Sequence, residues 1–160
     1  MNALIEKEIK MTTRVGLETD FMTAIKDLIE LDYDAIAAYN AAINRLDKEE
    51  FRKAFKDFKR DHEKHVEGLS AFLKSKDEVP PTGPSVKSYL TQGKVILANL
   101  MGDLTILKAM RTNEIDTTTA YERINIHKGI PKEIRGILKQ GLEDERRHLA
   151  WLEETFEEAV

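Results

Sequence analysis

The sequence predicts an all-α protein, an antiparallel four-helix bundle built from two helical hairpins joined by a long crossover that contains a short helix. Three observations predict it. No segment shows the sustained two-residue alternation of a half-buried strand, whereas apolar residues recur at three- and four-residue intervals from Thr19 onward. The chain has only 8 glycines and 4 prolines, and Pro80, Pro81 and Pro84 cluster as the one strong break in its middle. A set of acids, tyrosines and histidines also occurs twice, once in each half, at a nearly constant offset.

The bundle is expected over residues 19–160, with residues 1–18 as an N-terminal tail or short helix. The first helix, 19–46, starts at Thr19 or Asp20, either a good N-cap, and its apolar stripe runs Phe21, Ile25, Leu28, Ala35, Tyr39 and Leu46. The second, 48–74, opens with Asp47 and Glu50 as an approximate capping box. Its stripe is Phe51, Phe55, Phe58, Leu69 and Phe72, and the link before it is short enough to make the pair a hairpin. After the prolines, 86–100 reads as the crossover helix, with Tyr89, Val95, Ile96 and Leu100 on its apolar side. The third bundle helix, 103–127, turns Leu104, Leu107, Met110, Tyr121 and Ile124 inward. Lys128-Gly129 ends it, Pro131 starts the next, and the last helix, 131–157, buries Ile134, Leu138, Leu152 and Phe156.

Composition narrows the function classes. A chain of 160 residues supports one core without covalent staples, and the absence of cysteine excludes disulfides, thiolate metal sites and thiol nucleophiles. The 25 basic and 29 acidic residues are interspersed, so no basic track offers itself to nucleic acid. No apolar run approaches a bilayer span, and the start of the chain lacks the apolar stretch of a signal peptide. A cytoplasmic protein with neither nucleic-acid nor membrane partner is expected.

Four apolar stripes are interrupted by ionisable groups about halfway along. Asp32 stands in the first, seven residues before Tyr39, and His62-x-x-His65 stands in the second. Glu114, seven residues before Tyr121, and Glu145-x-x-His148 repeat the arrangement 82 to 83 residues later. Seven residues is close to two helical turns and three is close to one, so each set can face one direction. Singly, each residue has an ordinary explanation. A histidine on an apolar face is more often hydrogen-bonded core than ligand, and Thr117 and Thr118 can satisfy themselves by bonding back along the helix. Lys48, Glu49, Lys53, Lys56 and Lys59 are a solvated face. Together the inward acids need compensation, because an unpaired buried charge costs of order several kcal/mol. Divalent cations supply it directly, and a carboxylate and imidazole donor set without sulfur suits iron, manganese or zinc. The competing explanation is a metal-free acid–histidine–tyrosine network.

On these positions the chain resembles the ferritin-like superfamily, which includes bacterioferritin and rubrerythrin, over roughly Thr19 to Phe156. Within it the likeness is greatest to bacterial ferritin-like domains of unknown function. In dinuclear members one helix of each hairpin supplies a Glu and the other Glu-x-x-His. The resemblance implies Asp32 and Glu114 in the single-carboxylate places, His65 and His148 as histidine ligands, and Glu145 as a bridging carboxylate. It implies that Tyr39 and Tyr121 hydrogen-bond carboxylate ligands across the bundle. Two positions depart from it. Asp32 is one methylene short, and His62 replaces a bridging glutamate, which removes a negative charge and a carboxylate bridge. Asp61 and Glu63, beside His62, point about 100° away on the helix and are poor substitutes.

The resemblance implies a protein binding one or two ions, iron first and manganese or zinc next, and handling iron or peroxide as an oxidoreductase of ferroxidase or peroxidase type. The ligands would be Asp32, His62, His65, Glu114, Glu145 and His148. A homodimer or higher homo-oligomer is implied as well. The alternative is a non-catalytic bundle, metal-free or structurally metallated, serving as an oligomeric or stress-related interaction module through the crossover helix or Leu4, Ile5 and Ile9.

Overall fold

The computed structural model describes residues 13–85 and 101–159. Among them are four long helices and no strand: α1 (Phe21–Ile43), α2 (Glu49–Ser75), α3 (Asp103–Asn125) and α4 (Arg135–Ala159), the last led in by a short 3-10 turn at Lys132–Ile134. The expected crossover helix at 86–100 and the segment carrying Leu4, Ile5 and Ile9 lie outside the described residues. No described helix is long and apolar enough to cross a membrane.

Helices α1 and α2 pack most closely on each other, as do α3 and α4, and the two pairs meet chiefly where α1 touches α3 and α2 touches α4. The core between them is continuous, from Phe21, Ile25 and Leu28 on α1 through Phe55 and Leu69 on α2 to Leu107, Ile124, Leu138 and Leu152 on the second pair. At one end Phe51, Phe55 and Phe58 pack edge-on around Trp151 of α4, with ring centroids 5.4–6.0 Å from the indole. Such pairs add roughly 0.5–1.5 kcal/mol each beyond their buried area. They fix how α2 and α4 meet near the polar centre.

The start of α1 follows its local signal. Asp20 is the N-cap of α1, its carboxylate accepting from Thr23 N at 2.8 Å. The Asp47/Glu50 capping box does not form. Helix α2 begins at Glu49 after Lys48, which makes no side-chain cap, and the free amides of Asp47 and Lys48 donate instead to the Asp103 carboxylate at 2.7 and 3.0 Å. A residue 56 positions away outcompetes the local partner, and it ties the α1–α2 link to the start of α3.

Residues 13–18 make a turn against α3. Thr13 N donates to Asp116 at 2.7 Å, the Arg123 guanidinium donates to the Thr13 and Val15 carbonyls, and Val15 is buried. Gly16 has φ +94°, and a Cβ there would sit 2.5 Å from Arg123 Cβ, so only glycine lets this turn lie so close.

Candidate metal centre

Packing of the four helices brings six ionisable residues to mid-bundle, one each from α1 and α3 and two each from α2 and α4. Asp32, His62, Glu114, Glu145 and His148 are each at most 1% exposed, and His65 is 5% exposed. Two overlapping sets form there, each with potential ligand atoms within 4.8 Å of one another. The first is Asp32, His62, His65 and Glu145, and the second is His62, Glu114, Glu145 and His148. All six inward residues singled out by the doubled spacing therefore converge, and only His62 and Glu145 belong to both sets.

The tyrosines cross the bundle as well. The Tyr121 hydroxyl on α3 donates to Asp32 Oδ2 on α1 at 2.8 Å, and the Tyr39 hydroxyl on α1 donates to Glu114 Oε1 on α3. The Thr117 hydroxyl lies 3.2 Å from Glu114 Oε2, and its one proton is shared between that oxygen and the Asn113 and Glu114 carbonyls. Each carboxylate is thereby held by a neutral hydroxyl from the neighbouring helix or turn. Tyr121 fits only because position 141 is glycine: a Cβ there would lie 2.3 Å from Tyr121 Cε1 and 2.9 Å from Cδ1.

A further layer was missed in the sequence. Asp61 on α2 meets His148 Nε2 at 3.0 Å, and Asp144 on α4 meets His65 Nε2 at 3.0 Å, so each histidine is oriented by the opposite helix. Carboxylates on the outer nitrogen fix the ring and leave Nδ1 facing the centre, an arrangement common behind metal-bound histidines. Arg147 joins the two outer acids, its Nη2 donating to Asp61 at 2.7 Å and to Asp144 at 3.1 Å. Asp61 does point away from the centre, as helical geometry predicts, but towards a histidine and not solely into solvent. The signal was available: Asp61 and Asp144 stand 83 residues apart, like His62 and Glu145.

Without a metal the charges compensate one another. Burial pushes His62 down, but Glu145 and its bonds to Asp32 and Glu114 outweigh this and hold it well above the ordinary imidazole range. Burial likewise opposes protonation of His65, yet its bond to Asp144 and the nearby carboxylates of Asp32 and Glu145 push it up to about 12. His148 is raised, burial being overcome by Glu114 and Asp61. Burial raises all the acids, but the histidines outweigh it at Asp32 and Glu114, which stay below their usual range, whereas Glu145 remains raised by burial and the charge of Glu114. The acids around His62 therefore favour its protonated ring.

The compensation leaves four central atoms without a hydrogen-bond partner: His65 Nδ1, His148 Nδ1 and both oxygens of Glu145. They do lie in ion-pair range, His65 Nδ1 3.3 Å from Glu145 Oε1 and His148 Nδ1 3.6 Å from Glu114 Oε2, but without hydrogen-bond geometry. Buried polar atoms are rarely left this way, since each costs roughly 1–3 kcal/mol. Carboxylate and imidazole donors that converge without bonding one another fit a divalent ion.

Fold and site together define a helical bundle with a buried carboxylate–histidine cluster that could hold a metal. The chain belongs to the family described as "Domain of unknown function (DUF2383)", which matches residues 20–125. That stretch takes in α1 to α3, with Asp32, Tyr39, His62, His65, Glu114 and Tyr121, and stops before Glu145 and His148 on α4. No curated protein and no solved structure matches the chain.

Proposed function

We propose that the protein is an antiparallel, ferritin-like four-helix bundle that binds iron at its centre, with manganese or zinc as the competing ions. The observation that carries this reading is the convergence of the unpartnered atoms His65 Nδ1, His148 Nδ1 and Glu145 Oε1 and Oε2 in a cluster already rich in acids. Asp32, His62, His65, Glu114, Glu145 and His148 serve as ligands. Tyr39 and Tyr121 hold Glu114 and Asp32 in place, and Asp61 and Asp144 set the tautomer and angle of His148 and His65.

A bound iron centre would supply redox chemistry toward O2 or peroxide, which makes a ferroxidase- or peroxidase-like oxidoreductase the activity this site supports best. The chain's own contribution is to exclude water from the cluster, to keep Asp32 and Glu114 oriented through neutral hydroxyls, and to store protons on His62, His65 and His148 that binding releases. A cytoplasmic homo-oligomer is the expected setting.

A second reading is favoured by the ion pairing itself. Asp32 and His62 at 2.8 Å, with three histidines facing three inner acids, form a network that is compensated without metal. The protein would then be a non-catalytic oligomeric module. Metal analysis after loading with Fe(II), Mn(II) or Zn(II) separates the two. Retention in the wild type and its loss in Glu145→Ala supports the metal centre, and failure of every ion to bind supports the module.

A further inference from the structure

His62 differs from His65 and His148 in that both of its ring nitrogens face inner carboxylates of the cluster. Nδ1 lies 2.8 Å from Asp32 Oδ1 and 3.4 Å from Glu145 Oε1, while Nε2 lies 3.3 Å from Glu114 Oε1. His65 and His148, by contrast, each give Nε2 to an outer aspartate and keep only Nδ1 for the centre. The two nitrogens of an imidazole diverge, so one ion cannot take both.

The division of the ring matches the division of the cluster. Asp32 and His65 belong to one ligand set, Glu114 and His148 to the other, and His62 and Glu145 to both. Glu145 offers two buried oxygens without hydrogen-bond partners, enough for one in each set. Resting on the metal-binding reading above, we infer that His62 is itself a bridging ligand between two ions. Nδ1 serves the ion held with Asp32 and His65, Nε2 serves the ion held with Glu114 and His148, and Glu145 spans the same pair.

The bridge also balances in protons and charge. When the second ion binds, the remaining ring proton leaves to bulk water and the imidazole becomes an imidazolate, with no change of oxidation state. Asp32, Glu114, Glu145 and the imidazolate then balance two divalent ions, as the three acids and a glutamate at position 62 would. The histidine widens a dinuclear site and keeps its neutrality.

The test is a crystal structure of the metal-stripped protein reloaded with Zn(II), read by anomalous scattering. Two zinc peaks are expected on opposite edges of the His62 ring. Their separation should be about 6 Å, from two Zn–N bonds of about 2.0 Å and the width of the ring. In His62→Glu the peaks should close to about 3.5–4 Å, the span of an ordinary two-metal site. A single peak, or two wild-type peaks at the shorter separation, overturns the bridge and leaves the metal reading standing, whereas no zinc at all overturns the metal reading itself. Zinc calorimetry gives an independent readout. The wild type should take about two equivalents, and His62→Gln, with its one ligating oxygen, should hold the second at least tenfold more weakly. Unchanged affinity for both equivalents in a folded His62→Gln contradicts the bridge.

Discussion

The carboxylate of Asp61 on α2 meets Nε2 of His148 on α4 at 3.0 Å, and Asp144 on α4 returns the relationship to His65 on α2 at the same distance. Each helix of this pair therefore orients the other's histidine, and Arg147 links the two aspartates at the surface. Removing either charge should loosen a ring whose Nδ1 faces the centre. Asp61→Asn or Asp144→Asn should weaken metal affinity about 10- to 100-fold with little change in helicity. Competition with a chromophoric chelator measures the first, circular dichroism the second.

Glu145 is the one inner acid whose pKa is raised, by burial and by Glu114, so its ionised form destabilises the metal-free fold at neutral pH. Glu145→Gln keeps the shape and removes the charge. It should stabilise the metal-free protein by about 1 kcal/mol while abolishing metal binding. Urea unfolding with and without Zn(II) tests both halves: a less stable variant, or one that still gains stability from zinc, contradicts the assignment.

Gly141 is needed by Tyr121 rather than by its own backbone. In Gly141→Ala the new Cβ meets the phenol ring at 2.3 Å, so the ring or α4 must shift and the Tyr121–Asp32 bond is lost. The expected cost is about 1–3 kcal/mol. Tyr121→Phe should lose the same hydrogen bond without the clash, costing about 1 kcal/mol. Chemical denaturation of both variants gives the order, and Gly141→Ala being the milder would show that the ring is not confined.

The pH response should differ between metal-free and loaded protein. His62, His65 and His148 have pKa values raised by folding. Their contribution to metal-free stability is complete below the unfolded value of about 6.5 and is lost as pH rises through the folded values. For Asp32 and Glu114, both depressed, the contribution is present above their unfolded values near 4 and is lost on acidification. Metal-free stability should therefore peak between about pH 4.5 and 6.5. Ligation needs unprotonated imidazoles, so the extra stability conferred by metal should grow with pH. Melting temperatures of both forms from about pH 5 to 9 test this, and parallel curves would contradict proton–metal competition.

The inner cluster was legible because its residues interrupt apolar stripes, where a charge has no ordinary reason to be. Asp32, His62, His65, Glu114, Glu145 and His148 all converge for that reason. Asp61, Asp144 and Arg147 were not legible by the same rule, since partly exposed charges on a helix look like its solvated face, and only the repeated 83-residue offset marks the two aspartates. Thr117 could satisfy itself locally, so nothing in the sequence showed that it also reaches Glu114. The capping of α2 by Asp103 depends on a tertiary approach that local spacing does not contain.

Metal stoichiometry of the purified protein, stripped and then reloaded with Fe(II) or Mn(II) and read by elemental analysis beside Glu145→Ala, tests the central claim most directly. If the cluster is a metal centre, the wild type should retain one or two ions per chain and the variant none. A wild type that holds no transition metal after loading would contradict it, and would leave the six buried residues as a self-compensated ionic core.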